Sequence, residues 1–164
     1  MIFVTVGNSN LGFERLIKAM DNLARALPYP VVMQIGATQY TPKNAEWFRY
    51  CDHDTIIEYF KKSRVIVTHA GAGTILDILL LGKKPVVVPR LSKFKEHIDD
   101  HQVEITKALG DQKLIIPVYD ISQLESAILK ALMDNHKGRP SSTTPPRLIR
   151  ILSERLDSIG GNEQ

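Results

Sequence analysis

Residues 65–77 read Val-Ile-Val-Thr-His-Ala-Gly-Ala-Gly-Thr-Ile-Leu-Asp. A β-branched apolar run comes first, then a turn of small residues, then a helical pattern. The run Val65 to Thr68 predicts a strand buried on both faces, as in a parallel sheet. Thr74 to Leu81 predicts a helix, stopped by Gly82 and Pro85. Small residues between them let the backbone approach a ligand closely. Free N–H groups and the positive end of the dipole at the start of a helix favour an anion such as a phosphate. His69, Ala70, Gly71, Ala72, Gly73 and Thr74 are therefore candidate binding residues, Thr74 through its hydroxyl as well. A tight strand-helix turn has the same composition, so the glycines alone leave both readings open. The stretch is neither a P-loop, since no Lys-Ser/Thr follows, nor G-x-G-x-x-G, since no third glycine appears.

The same alternation continues on both sides. Ile2 to Val6 reads as a strand ended by Gly7, and Phe13 to Leu27 as an amphipathic helix stopped by Pro28 and Pro30. Val31 to Ile35 is a second strand, and a third is placed near 46–51. Ile56 to Lys62 reads as a helix and Val86 to Val88 as a strand ended by Pro89. Glu96 to Leu109 reads as a helix with Gly110 in the usual C-terminal position. Lys113 to Ile116 is a last strand, and Ser122 with Glu125 reads as a capping box for a helix through Met133. Strands alternating with helices predict a single Rossmann-like α/β domain, its parallel sheet covered by helices on both faces. The expected organisation is a domain over 1–134, a linker over 135–146, a helix over 147–159 and a frayed tail over 160–164.

Three further groups face the carboxyl edge of such a sheet, where open α/β sheets bind ligands. Gly7, Asn8 and Ser9 offer backbone freedom and donors after the first strand, with a helix-capping loop as the plainer reading. Asp77 sits about one helical turn inside the helix after Gly73, where it can accept from ribose hydroxyls or serve the helix dipole. His97, His101 and Gln102 fall at the start of the predicted 96–109 helix. The two histidines are spaced i, i+4 and could share a metal with Asp100 or Glu96, but the H-E-x-x-H context is missing, and no metal site is assigned. Gln102 carries both a donor and an acceptor for sugar hydroxyls.

Composition narrows the class. The 164 residues suit one domain, and 43% hydrophobic with 24% charged residues is an ordinary globular balance. A net charge of +3 is too weak to argue nucleic acid. The basic excess is local, with Lys137, Arg139, Arg147, Arg150 and Arg155 against Glu154. Cys51 is the one cysteine, which excludes an internal disulfide and fits a reducing compartment. The chain opens on an apolar run without a basic leader, so no signal peptide is expected.

Taken together, Phe3 to Gly7 with Phe13 to Leu16, Ser63 to Thr74, Gly82 to Pro89 and Asp99 to Glu104 resemble the C-terminal, donor-binding domain of GT-B glycosyltransferases of family twenty-eight. The order and spacing are closest to the small catalytic subunits of two-piece UDP-GlcNAc transferases of asparagine-linked glycosylation, and to bacterial polysaccharide-synthesis subunits of that kind. The likeness spans roughly 1–133. It implies an inverting transfer of GlcNAc or another hexose from a UDP-sugar to a polyprenyl-diphosphate-linked acceptor. It also implies a cytoplasmic location, peripheral to the membrane through a membrane-associated acceptor-binding partner, with no cofactor. The Gly71–Thr74 turn would face the diphosphate, Asp77 would stand where relatives hold the ribose with Glu, and His101-Gln102 would match the pair whose glutamine contacts the donor sugar. The uracil pocket would come from Cys51 to Asp54. Ile105 replaces a sugar-contacting Asn common in single-chain relatives, and Asn8 stands where the two-piece family often has Thr. The general base is expected on the partner, with His69 and His101 as the local alternatives. Truncation after Lys137 is expected to weaken partner association more than UDP binding. An isolated chain could form homodimers through an apolar patch meant for its partner. The competing readings are a non-catalytic accessory subunit and a different Rossmann-like nucleotide enzyme.

Overall fold

The β-branched runs pair into one six-stranded sheet in a computed structural model that describes residues 1–136. In chain order the elements are β1 (Ile2–Thr5), α1 (Glu14–Leu23), β2 (Val31–Gln34), β3 (Glu46–Phe48), α2 (His53–Lys62), β4 (Val65–His69), α3 (Ala72–Leu80), β5 (Val86–Val88), α4 (His101–Asp111), β6 (Ile116–Pro117) and α5 (Leu124–His136). Strand order is β3-β2-β1-β4-β5-β6 and every pairing is parallel. The doubly wound order reverses between β1 and β4, so the crevice beyond their carboxyl ends is the expected ligand position.

Side-chain alternation assigns the layers. Ile2 and Val4 of β1 join Leu16, Ile17 and Met20 of α1 and Leu124 and Ile128 of α5 in one cluster. Phe3, between them, packs with Phe60 of α2 and Ile78 of α3 on the other face. Val87 of β5 continues that face against Ile75 of α3 and Ile105 and Leu109 of α4. Helices thus cover both faces, as the sequence predicts.

Several expected boundaries are corrected. Helix α1 ends at Leu23, four residues before the expected Leu27. Helix α2 starts at His53 rather than Ile56, because Asp52 caps it by accepting from the Thr55 amide at 2.9 Å. The expected helix over 96–109 begins only at His101. Ahead of it Ser92–Phe94 forms a single 3₁₀ turn closed by Lys95 at φ 57°, and the chain then turns until Asp100. Gly110 lies inside α4. Lys113, at φ 59°, takes the left-handed place, and the Lys113 and Leu114 amides reach back to the Gly110 and Leu109 carbonyls in a Schellman arrangement. The last strand is therefore Ile116–Pro117, not 113–116. Ser122 is no helix cap: its amide and hydroxyl both donate to Asp120, at 2.9 and 2.8 Å. Helix α5 runs to His136, past the expected linker start at 135. The rest of that linker, the 147–159 helix and the 160–164 tail lie outside the described residues. No helix among the described residues is long and apolar enough to cross a membrane.

Candidate functional site

The ends of β1 and β4 meet around one imidazole. Gly7 follows β1 at φ 73°, and a β-carbon built on it would stand 2.5 Å from Cε1 of His69. A β-carbon on Gly71 would likewise overlap Nε2 of the same ring. The ring therefore lies between two glycines because only glycine leaves it room. The first loop is tethered from β2: the Gln34 Nε2 donates to the Gly7 carbonyl at 3.1 Å and to the Asn8 Oδ1 at 3.4 Å. Thr5 donates its hydroxyl to Gln34 Oε1. Ser9 Oγ accepts from the Leu11 amide at 3.1 Å. Neither Asn8 nor Ser9 caps α1, whose N-cap residue is Phe13, held by Thr38 Oγ1 at 3.1 Å.

His69 is buried, and burial with the nearby Arg90 guanidinium pushes its pKa down to about 3, against a hydrogen bond with the Thr5 backbone. It is a neutral ring at physiological pH, wedged in the floor of the crevice.

Helix α3 starts two residues earlier than the sequence suggests. Gly71 is its N-cap and supplies no side-chain cap, and Ile75 is the first amide to bond back, to the Gly71 carbonyl at 3.0 Å. The amides of Ala72, Gly73 and Thr74 precede that bond and form the open helix end. A β-carbon on Gly73 would meet nothing within 4 Å, so this glycine faces open space. Ala70 differs from its neighbours. It is fully buried and its amide donates to Gln102 Oε1 at 3.1 Å, which withdraws it from the set of ligand donors. The same Gln102 oxygen accepts from the Arg90 amide at 3.0 Å. The Gln102 oxygen thus ties the end of β4 to the residue after Pro89, a tie in which its Nε2 takes no part.

Asp77 is brought against the start of α2: His53 Nε2 and Asp77 Oδ2 are 2.9 Å apart. This places the Cys51–Asp54 turn next to α3. Burial and the Asp52 carboxylate push the Cys51 thiol up.

The two histidines of the 96–102 stretch do not share a helix face, because His97 precedes α4. His97 Nδ1 pairs with Asp99 at 3.0 Å, and His101 Nδ1 lies 3.5 Å from Glu104. No group of three or more His, Cys, Asp or Glu among the described residues is arranged to hold a metal. His101 Nε2 is buried without a hydrogen-bond partner.

Sequence reasoning missed Arg90, the residue after Pro89. It is 1% exposed. Its Nη1 donates to the Leu11, Gly12 and Glu96 carbonyls at 3.1, 3.0 and 3.0 Å, and its Nη2 to the Val6 carbonyl at 2.8 Å. The guanidinium also lies over the Phe13 ring, 4.8 Å from its centroid. Glu96, expected as the first residue of a helix and a possible metal partner of the histidines, is buried and takes a bidentate bond from Arg15 at 2.9 and 2.8 Å. Arg90 follows β5 by two residues and clamps the Gly7–Gly12 loop onto the sheet. The one sequence signal was its position directly after the strand-ending Pro89.

Comparison with known proteins agrees with this architecture. The family model described as "Glycosyltransferase family 28 C-terminal domain" matches residues 1–148. The UDP-N-acetylglucosamine transferase subunit ALG13 of Yarrowia lipolytica is 39% identical over 128 residues, covering 76% of this chain and 56% of that protein. The human subunit of the same name is 32% identical over 121 residues, covering 66% of this chain and 10% of that protein. The chain thus spans between a tenth and somewhat over half of the length of these curated relatives. Among solved structures, the glycotransferase of kitacinnamycin superposes with a TM-score of 0.63 at 17% identity, over 96% of this chain and 38% of that one. At that identity the match is one of fold.

Proposed function

The chain belongs to the family of glycosyltransferase family 28 C-terminal domains, and from that premise we propose that it is the donor-binding catalytic subunit of an inverting glycosyltransferase. It takes GlcNAc or another hexose from a UDP-sugar and passes it to a polyprenyl-diphosphate-linked acceptor. A membrane-associated partner subunit binds the acceptor and keeps this chain at the cytoplasmic face. The observation that carries the reading is the open, uncapped start of α3 at the point where strand order reverses. The subunit naming of the relatives supports a partner.

In this reaction an acceptor hydroxyl attacks the anomeric carbon while UDP leaves with the bonding pair. Negative charge grows on the diphosphate as the glycosidic bond breaks. The amides of Ala72, Gly73 and Thr74 meet that charge already oriented, and each such donor contributes roughly 3 kcal/mol in the transition state. Gly7, Asn8 and Ser9 border the nucleotide, Asp77 takes the ribose, and His101 with the Gln102 amide group faces the sugar. The scheme calls for no cofactor, since the helix end carries the electrostatic load.

The acceptor proton goes to a base on the partner. His69 is a poor candidate because a buried ring with a pKa of about 3 holds a proton too weakly. His101 has its Nε2 buried and its Nδ1 beside Glu104.

Titration of the chain with UDP, alone and with its partner, tests the reading. Saturable UDP binding and sugar transfer only in the presence of the partner are expected. Absence of saturable UDP binding in both samples overturns it. Thermal protection by a panel of nucleotide-sugars then identifies the donor.

A further inference from the structure

We propose that His53 is a positioning residue for the nucleotide's ribose: it fixes Asp77 through one carboxylate oxygen and leaves the other to accept from a ribose hydroxyl. This rests on the UDP-sugar reading above and names the group that orients its ribose contact.

The argument starts from the cap. Asp52 accepts from the amide and the hydroxyl of Thr55, both at 2.9 Å, so the first turn of α2 is fixed at its very start. His53 is the first residue of that helix. Its side chain leaves α2 and meets α3, where Nε2 lies 2.9 Å from Asp77 Oδ2. The second oxygen, Oδ1, takes no part in this pair. Thr74 and Asp77 are three residues apart, which makes them neighbours on one helix face, next to the open amides.

The pair sits at the margin of the protein, with the His53 side chain 68% exposed and that of Asp77 31% exposed. An ion pair so placed contributes little to folding. Its consequence is orientation. An aspartate carboxylate rotates about two side-chain bonds, and a donor anchored on another helix removes that freedom.

The charges that act most strongly on the ring are acidic: Asp77 from α3, and Asp54 and Asp52 from its own turn. The Asp77 hydrogen bond is the strongest influence, and together they raise the His53 pKa above the ordinary imidazole value against an opposing effect of desolvation. Below that raised value the ring is cationic and grips Asp77. Above it, the grip weakens to that of a neutral donor.

Calorimetric UDP binding from about pH 5.5 to about pH 8.5 spans the imidazole transition and tests this. UDP's own terminal phosphate titrates in the same range, so the quantity read is the affinity of the wild type relative to His53→Gln. That ratio should be largest at acid pH and fall to near unity as pH rises through the His53 transition. His53→Ala should weaken UDP by about threefold to tenfold at the acid end, the size of one typical net hydrogen bond. The same variant should bind a UDP analogue lacking both ribose hydroxyls as the wild type does. Wild-type UDP affinity in His53→Ala, or an equal loss with the dideoxy analogue, overturns the proposal while leaving the UDP-sugar reading intact. Failure of the wild type to bind UDP at any pH removes that reading itself.

Discussion

The imidazole of His69 presses against the α-carbon of Gly7, so that a β-carbon there would stand 2.5 Å from its Cε1. The contact joins the last residue of β4 to the second residue after β1, across the reversal of strand order. It makes the two sides of the crevice one unit. Gly7→Ala must overcome both the ring and a φ of 73°. Together these should destabilise the fold by about 2–4 kcal/mol, read as a lower urea midpoint with unchanged slope. Gly7→Ala combined with His69→Ala should lose less than the sum of the singles, because the ring is half of the conflict. Strict additivity would mean the ring is not what requires glycine.

How far the sequence shows this site depends on the range of the interactions that build it. The apolar runs of β1, β4 and β5 and the small-residue turn before α3 are local patterns, and all were legible. The false helix over 96–100 had a helix-like mix of polar residues. What overrules it is distant: Glu96 is drawn inward by Arg15, 81 positions away, and Lys95 adopts a left-handed conformation usually left to glycine. Arg90 was hidden for the same reason, since its bonds go to carbonyls 84, 79 and 78 positions earlier as well as to Glu96. The pairing of Asp77 with His53 also spans two helices and leaves no trace in spacing. Apolar runs and the glycine turn were readable, whereas long-range polar clamps were not. Which of several nearby polar residues closes a helix end, Asp52 on Thr55 or Asp120 on Ser122, was not readable either.

The buried His69 should give the fold an acid-sensitive stability. Its folded value of about 3 lies below its ordinary 6.5, so the unfolded chain binds more protons between them. The stability it confers is complete above 6.5 and is lost as pH falls toward 3, by up to about 1.4 kcal/mol per pH unit. Urea midpoints measured across this window should fall more steeply for the wild type than for His69→Gln. Parallel profiles would mean that the ring is protonated in the fold.

Gly73→Ala separates folding from ligand approach. A methyl there meets no protein atom within 4 Å, and alanine suits a helix better than glycine. The free protein should gain up to about 1 kcal/mol. If the diphosphate sits at this turn as proposed, UDP binding should weaken by about tenfold or more, because the methyl would take space beside the open amides. A thermal shift upward with UDP affinity unchanged would place the diphosphate elsewhere.

Gln102→Leu removes the acceptor shared by the Ala70 and Arg90 amides. Two buried N–H groups would lose their partner, which should destabilise the chain by about 2–4 kcal/mol. If the side-chain amide also serves the donor sugar, a UDP-sugar should lose more affinity than UDP does. Equal losses for the two ligands would leave Gln102 a purely structural tie.

Arg90→Lys tests whether the clamp on the first loop matters for binding as well as for folding. The guanidinium reaches the Val6, Leu11, Gly12 and Glu96 carbonyls at once because its donors are spread over a rigid plane. An ammonium offers three donors from a single point and cannot span them. At least one buried carbonyl would be left without a partner, so a loss of about 3 kcal/mol is expected. The released carbonyls belong mostly to the loop through Gly7 and Ser9, and its donors would no longer be preoriented. UDP affinity should therefore fall even at temperatures where the variant is fully folded, whereas Arg15→Lys, outside that loop, should lower stability and leave UDP affinity near the wild type. If both variants bind UDP as the wild type does, the first loop does not border the nucleotide.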